Sequence, residues 1–185
     1  TGSFSGNITN NAAVQFNRSD ALTYGGNISG TGSLTQSGTG TTTLTGTNTY
    51  SGATTIDAGT LAVQGGSAIS DGSAVSIASG ATLSLGADEA IGTLSGAGDI
   101  ALNANTLTVD ESLSYSFTGG ISGTGGLVKT GSADLTLSGT NTYTGITTFT
   151  AGTVSVSTIG NGGVAGNLGQ AASTANRLVF SGGTL

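Results

Sequence analysis

The sequence predicts an all-β protein built as a β-solenoid, and three observations support this fold class. Gly contributes 35 of the 185 residues, Thr 33 and Ser 24, whereas Lys and Arg together contribute 3 and Asp and Glu 9. Apolar residues make up 35% of the chain and alternate with Thr and Ser, which is typical of strands with one buried face. A long segment also recurs at a fixed spacing, and such recurrence is typical of stacked architectures.

The recurring segment occupies residues 28–63 and 121–156, which align without a gap at a shift of 93 residues. The copies read ISGTGSLTQSGTGTTTLTGTNTYSGATTIDAGTLAV and ISGTGGLVKTGSADLTLSGTNTYTGITTFTAGTVSV, and 21 of the 36 pairs are identical. The glycines and the alternate aliphatic residues are kept, while the polar residues between them vary. Glycines suit corners with positive φ, and alternate aliphatic residues suit one buried strand face. The repeat is therefore predicted to specify backbone shape and core filling.

Between and after the copies, short stretches of period two predict further strands. Almost every stretch is bounded by Gly, Asn, Asp or Ser, and strong helix formers are scarce, so no helix longer than about a turn is expected. The predicted strands are Leu61-x-Val63, Val75-x-Ile77, Leu83-x-Leu85, Ile100-x-Leu102, Leu107-x-Val109 and Leu113-x-Tyr115-x-Phe117.

Strands of this length also build sandwiches and antiparallel barrels, so composition has to choose among the three architectures. The dipeptides typical of tight hairpin turns, Asn-Gly and Asp-Gly, occur only at Asn161-Gly162 and Asp71-Gly72. Antiparallel folds, in contrast, need many tight turns. Small and mid-sized aliphatic residues instead suit the narrow core of a solenoid. At roughly 20 to 25 residues per coil, the chain makes about eight coils.

Residues 1–185 are predicted to form one solenoid segment with a protruding loop at residues 157–176. Apolar alternation fades in that stretch and Gly concentrates there, as in surface loops. The final residues, SGGTL, align with SGATL at 79–83. The chain is therefore expected to be a segment of a longer array.

The composition also excludes several function classes. The chain has no His and no Cys, which removes the imidazole base, the thiolate nucleophile, the disulfide and the usual zinc ligands. The scattered bases Arg18, Lys129 and Arg177 form no cationic surface for nucleic acid. No apolar run approaches the roughly 18 residues of a membrane span, and the first residues show no signal peptide. Neither nucleic-acid binding nor membrane insertion of this segment is expected.

No catalytic, metal-binding or cofactor-binding residue is predicted, so the chain is expected not to be an enzyme. The acid pairs Asp88-Glu89 and Asp110-Glu111 are adjacent, and neighbours on a strand point to opposite faces. Paired carboxylate catalysis needs two groups converging on one bond, so these acids are interpreted as solvated turn charges. The only Lys, Lys129, lies in an apparently ordinary strand and is an unpromising base for a Ser nucleophile. The segment Gly96–Asp99 resembles one calcium-binding repeat, a design that needs tandem copies.

The residues kept in both copies are predicted to be structural repeat positions, and the ligand-binding residues remain unknown. Asn48 and Asn141 are expected to hydrogen-bond backbone at a corner, where Asn tolerates left-handed geometry. Tyr50 and Tyr143 are expected to staple the coil, and the alternative is an aromatic sugar-binding surface. The predicted structural positions are Gly46, Asn48, Tyr50, Gly52, Gly59, Gly139, Asn141, Tyr143, Gly145 and Gly152.

The two copies resemble the passenger-associated transport repeat of bacterial autotransporters, also called the autotransporter-associated β-strand repeat. Their Gly, Asn-Thr-Tyr and Gly-Thr-Leu elements follow one fixed order, and SGATLSLGADEAIGTLSGAGDIALNANTLTV resembles the stretch that commonly separates such repeats. The resemblance covers most of residues 26–156. It implies a single-stranded right-handed parallel β-helix from the passenger of a type V secreted protein.

The resemblance further implies a non-enzymatic structural stalk whose repeats aid export and folding of the passenger across the outer membrane. The implied partners are the protein's own C-terminal translocator barrel and the outer-membrane assembly machinery. The implied location is the surface or exterior of a Gram-negative bacterium, with signal peptide and barrel outside this segment. The alternative is an adhesin segment that binds host glycan or protein or associates with itself, through the 157–176 loop or a face bearing Tyr50 and Tyr143.

Overall fold

The protein is a parallel β-solenoid of about eight coils, as the sequence predicts. The structure is a computed structural model that describes residues 1–170 and 177–185. All regular elements in these two ranges are β-strands, 22 in number, and every named pair of strands runs parallel. Across this described part of the chain there is accordingly no helix of the length and apolarity that crossing a membrane requires.

The strands line three faces, and the chain visits the faces in a constant order. The seven-stranded sheet contains β1 Gly2–Phe4, β4 Leu22–Tyr24, β7 Thr41–Leu44, β9 Thr60–Val63, β11 Thr82–Leu85, β14 Asp99–Ala101 and β17 Ile121–Ser122. The third face carries two separate sheets. One has two strands, β2 Ile8–Thr9 and β5 Ile28–Ser29, and the other has five, β12 Glu89–Ile91, β15 Leu107–Asp110, β18 Leu127–Thr130, β20 Thr147–Phe149 and β22 Leu178–Phe180. The eight-stranded sheet contains β3 Ala13–Phe16, β6 Ser33–Gln36, β8 Thr54–Ile56, β10 Val75–Ile77, β13 Leu94–Gly96, β16 Tyr115–Phe117, β19 Asp134–Leu137 and β21 Thr153–Val156.

Most coils contain about 20 residues, close to the lower end of the predicted range. The register offset between neighbouring coils varies from 17 residues between Leu83 and Ile100 to 22 between Leu61 and Leu83. It rises to 31 between Thr147 and Leu178. The predicted loop 157–176 falls within this longest interval. Its residues 171–176 lie outside the described part, so the loop as a whole stays a prediction.

The core follows the alternation of the sequence, because residues two apart on a strand share a face. In β9, for example, Leu61 and Val63 are fully buried while their neighbours lie nearer the surface. The predicted stretch Leu113-x-Tyr115-x-Phe117 is wrong in part, since only Phe117 is buried and the side chain of Leu113 is 62% exposed. The side chain of Glu111 is buried at this corner instead.

Candidate functional site

Each repeat copy contains strands that pair with one another. In the first copy β6 pairs with β8 and β7 pairs with β9. In the second copy β18 pairs with β20 and β19 pairs with β21. A segment of about one and a half coils therefore contains both partners of two strand pairs. The buried polar residues of these segments form the candidate site.

Asn48 lies on the third face at a point where the strand ladder is interrupted, and its side chain restores the connection. The Oδ1 atom accepts a hydrogen bond from the backbone N–H of Ile28 at 2.7 Å, and the Nδ2 atom donates to the carbonyl of Ala68 at 2.5 Å. The residue is 3% exposed. One amide thus satisfies a buried donor on the preceding coil and a buried acceptor on the following coil.

Asn141 repeats this arrangement in the second copy. Its Oδ1 atom accepts from the N–H of Ile121 at 2.8 Å, and its Nδ2 atom donates to the carbonyl of Asn167 at 2.5 Å. Among the residues outside the 171–176 gap, Asn103 is the one non-glycine residue with positive φ. The expected left-handed corner geometry at Asn48 and Asn141 is therefore wrong, because both residues bridge neighbouring coils rather than form a turn.

Tyr50 and Tyr143 are fully buried, so the alternative of an aromatic sugar-binding surface is wrong. The Tyr50 hydroxyl lies 2.6 Å from Thr54 Oγ1, which in turn lies 2.8 Å from Ser73 Oγ. The Tyr143 hydroxyl lies 2.7 Å from Thr147 Oγ1. Burial raises the pKa of each tyrosine to about 12. Each phenol therefore stays neutral and fixes its corner to the strand that follows.

The retained glycines serve two different geometric purposes. Gly59 and Gly152 have positive φ, +61° and +66°, a conformation that glycine adopts without strain. Gly46 and Gly139 instead allow two coils to approach closely, since a Cβ atom on either one would lie 2.2 Å or 1.9 Å from a carbonyl oxygen of the coil before. Gly52 and Gly145 belong to the second group, and there too a Cβ atom would overlap the backbone of the preceding coil.

Gln36 and Lys129 occupy equivalent positions in the two copies, and both side chains are fully buried. The Gln36 amide donates to the carbonyl of Gly38 at 2.7 Å, and the Lys129 ammonium donates to the carbonyls of Thr130 and Gly131. Both therefore satisfy backbone oxygens at the same turn. Burial lowers the pKa of Lys129, while the nearby carboxylates of Glu111, Asp110 and Asp134 oppose that shift.

Glu89 and Glu111 are buried rather than solvated, so the interpretation as turn charges is wrong for both. Glu89 accepts backbone N–H groups of Ile69 at 2.8 Å and Ala68 at 3.3 Å, and Glu111 accepts that of Leu94 at 3.0 Å. Burial raises the pKa of each carboxyl to about 7, partly offset by these hydrogen bonds. Both acids replace carbonyls missing from the ladder, and period-two reasoning could not detect this role.

Equivalent residues of the two copies lie on different faces. The first copy begins on the eight-stranded sheet with β6, whereas the second begins on the third face with β18. Between β6 and β18 the chain advances by fourteen faces. Each coil has three faces, so the 93 residues that separate the two copies correspond to four and two-thirds coils. Side chains at matching positions point one third of a turn apart. The copies consequently share an internal construction but no common surface.

The passenger-associated transport repeat family matches the chain at residues 34–63 and 127–156. These ranges coincide with β6 to β9 and β18 to β21, except that the first match begins one residue after the start of β6. No curated protein and no solved structure matches the chain significantly. Among the residues that the structure describes, no cluster of three or more metal-ligating side chains occurs. The chain therefore carries, within a parallel β-solenoid, two passenger-associated transport repeats, the repeat of bacterial autotransporter passengers.

Proposed function

We propose that this segment is a non-enzymatic structural stalk of a type V secreted surface protein, and that its repeats aid export and folding of the passenger. The observation that carries the proposal is the match of the passenger-associated transport repeat to residues 34–63 and 127–156. Each matched segment contains two strand pairs, which in the first are β6 with β8 and β7 with β9. A repeat emerging from a pore can form two strand pairs before later coils arrive. Pairing over about 20 residues has a low loop-closure cost.

Folding of this kind would supply direction to export. Solenoid folding can nucleate in one repeat and propagate to its neighbours, so each coil formed outside the cell hinders backward movement of the chain. The bridges of Asn48 and Asn141 reach both the preceding and the following coil, and each offers the next coil a prepared hydrogen-bonding partner. The partners would be the C-terminal translocator barrel and the outer-membrane assembly machinery, and the location would be the bacterial surface or exterior.

The placement of the acids supports a non-enzymatic role. Glu89 and Glu111 are 3% and 0% exposed, and each accepts backbone N–H groups of the preceding coil. Neither side chain can reach a substrate outside the solenoid. A general acid or base needs contact with the reacting group.

The test uses deletions that remove one whole coil and preserve the strand register. Removing residues 41–59 joins Gly40 to Thr60, which occupies the register position of Thr41. Removing residues 134–152 treats the second repeat in the same way, because Asp134 pairs with Thr153. The matched control removes residues 100–120, a coil between the repeats, because Ile100 pairs with Ile121.

Each deletion is placed in the secreted parent chain, and surface delivery is measured by protease accessibility on intact cells. Both repeat deletions are expected to lower delivery severalfold, while the control deletion leaves it near the parental amount. Circular dichroism of the isolated segments establishes that the three variants fold. Equal delivery of the three variants would refute the export role and leave a purely structural stalk.

A further inference from the structure

A groove of about 410 Å³ lies on the outer side of the third face, within the volume range of small-molecule sites. Backbone register defines its columns. The first column contains the residues that precede four successive strands, namely Thr106, Gly126, Ile146 and Arg177. In the second column Val128 and Thr148 line the groove, and Thr108 and Val179 continue the column on either side of it.

Gly126 forms a notch in the first column, because it places no side chain between Thr106 and Ile146. Adjacent strands lie about 4.8 Å apart, so the two flanking residues are separated by about 10 Å. That spacing admits one ring-shaped ligand. A Cβ atom at Gly126 would lie 2.7 Å from the carbonyl oxygen of Ile146, so a residue with a side chain is disfavoured at this position.

Arg177 supplies the charge of the groove. The other two cations are engaged elsewhere, since Arg18 pairs with Asp20 at 2.7 Å and Lys129 is fully buried. Arg177 donates through Nη1 to the carbonyl of Thr144 at 3.1 Å, and among the residues at 1–170 and 177–185 it forms no ion pair. A guanidinium carries five N–H donors in a planar fork that fits a carboxylate.

The remaining lining selects a sugar over a peptide or a nucleic acid. Thr106 and Thr148 offer hydroxyl groups, and Ile146 offers an aliphatic surface that is 46% exposed. Thr124 offers a hydroxyl oxygen as an acceptor, because its O–H donates to the carbonyl of Asn103 at 3.0 Å. An extended peptide would need a free strand edge, yet β18 and β20 are each paired on both sides. A phosphate backbone would need several cations. The nearest carboxylate of the first column, Asp88, accepts the N–H of Thr106 at 2.7 Å on the far side of the notch.

We propose that this groove binds one uronic-acid residue. The sugar carboxylate lies on Arg177, its ring hydroxyls bond the threonines, and its ring carbons lie against Ile146. The proposal goes beyond the export role, which depends on buried residues of the repeats.

The test is a titration of the chain with glucuronate, glucose and acetate, followed by NMR at Ile146 and at the backbone amides of β18 and β20. Glucuronate is expected to saturate in the millimolar range and to shift these resonances, while glucose and acetate bind at least about tenfold more weakly, since one charge-assisted pair changes affinity by about that factor.

The diagnostic variant is Arg177→Gln, which is expected to weaken glucuronate binding at least about tenfold, and the matched control is Arg18→Gln, which is expected to leave binding unchanged. Unchanged thermal midpoints establish that both variants fold. Undiminished binding by Arg177→Gln, acetate affinity equal to that of glucuronate, or no saturable glucuronate shift would each overturn the proposal.

Discussion

The side chain of Asn48 hydrogen-bonds the backbone of both neighbouring coils, as the backbone of a strand would do. A single substitution can therefore test this role. Asn48→Leu leaves the N–H of Ile28 and the carbonyl of Ala68 buried without a partner, at about 1–3 kcal/mol for each group. The free energy of unfolding, measured by urea titration, is expected to fall by about 2–6 kcal/mol. The exposed Asn161 is the control, where Asn161→Ala is expected to change it by less than about 0.5 kcal/mol. Equal stability of the two variants would contradict the bridging role.

Glu89 and Glu111 make stability depend on pH. Their pKa of about 7 in the folded chain exceeds the ordinary value of 4.5 because burial disfavours the charged form. Asp71 adds to the shift of Glu89, and Asp110 adds to that of Glu111, while Lys129 opposes the latter. The folded state thus binds more protons than the unfolded state between pH 4.5 and 7, so stability falls as pH rises through that window.

Each carboxyl is expected to change the free energy of unfolding by on the order of 3 kcal/mol across the window. The prediction is that the chain is more stable at pH 5 than at pH 8 in urea titrations, and that the loss levels off above pH 7. The variant with Glu89→Gln and Glu111→Gln carries no titrating group at these positions and is expected to show a flatter profile. A wild-type profile that rises from pH 5 to pH 8, or parallel profiles for both proteins, would exclude this linkage.

The contact between successive coils gives a prediction at the scale of the element. Gly46 allows close backbone approach, because a Cβ atom there would lie 2.2 Å from the carbonyl oxygen of Gly26. Gly46→Ala is expected to lower the free energy of unfolding by about 1–3 kcal/mol, the cost of overpacking. Gly72→Ala is the matched control, since a Cβ atom at Gly72 meets nothing within 4 Å. The two variants are compared by thermal and urea unfolding, and equal losses would mean that close approach is unimportant.

Alternation predicted most strands but failed where a polar side chain replaces a strand. Leu61 and Val63, for example, are buried as period two requires. At β16 the same reasoning placed Leu113 in a strand and left Glu111 in solvent, and the structure has the opposite burial. The reason is physical, because the N–H of Leu94 needs an acceptor that β16 does not provide there. A carboxylate that accepts a buried amide has no signature in hydrophobic periodicity.

For the whole molecule, the sequence predicts the solenoid and both repeats. It does not predict which face of the solenoid each strand of the repeats occupies. Side chains alternate with period two on all three faces, so periodicity carries no information on which face a strand occupies. The coil offsets of 17 to 22 residues then accumulate over the 93 residues that separate the copies. Asn48 and Asn141 therefore play the same part on different faces, and groove residues such as Arg177 become neighbours only through the register of β20 and β22.

Register also governs which deletions the molecule tolerates. A longer deletion that removes one whole coil is expected to destabilise the fold less than a shorter deletion that removes half a coil. Deleting residues 100–120 removes one coil and returns Ile121 to the register of Ile100. Deleting only residues 100–109 moves every later strand by about half a coil and places strands of different faces over one another.

Because each coil contacts only its neighbours, the 21-residue deletion is expected to retain the β-sheet signal in circular dichroism and one cooperative thermal transition. The 10-residue deletion is expected to lose both, since its later coils cannot bury their apolar faces on the earlier ones. A 10-residue variant as stable as the 21-residue variant would show that the faces are interchangeable in stacking, and register would then cease to be the constraint that organises this solenoid.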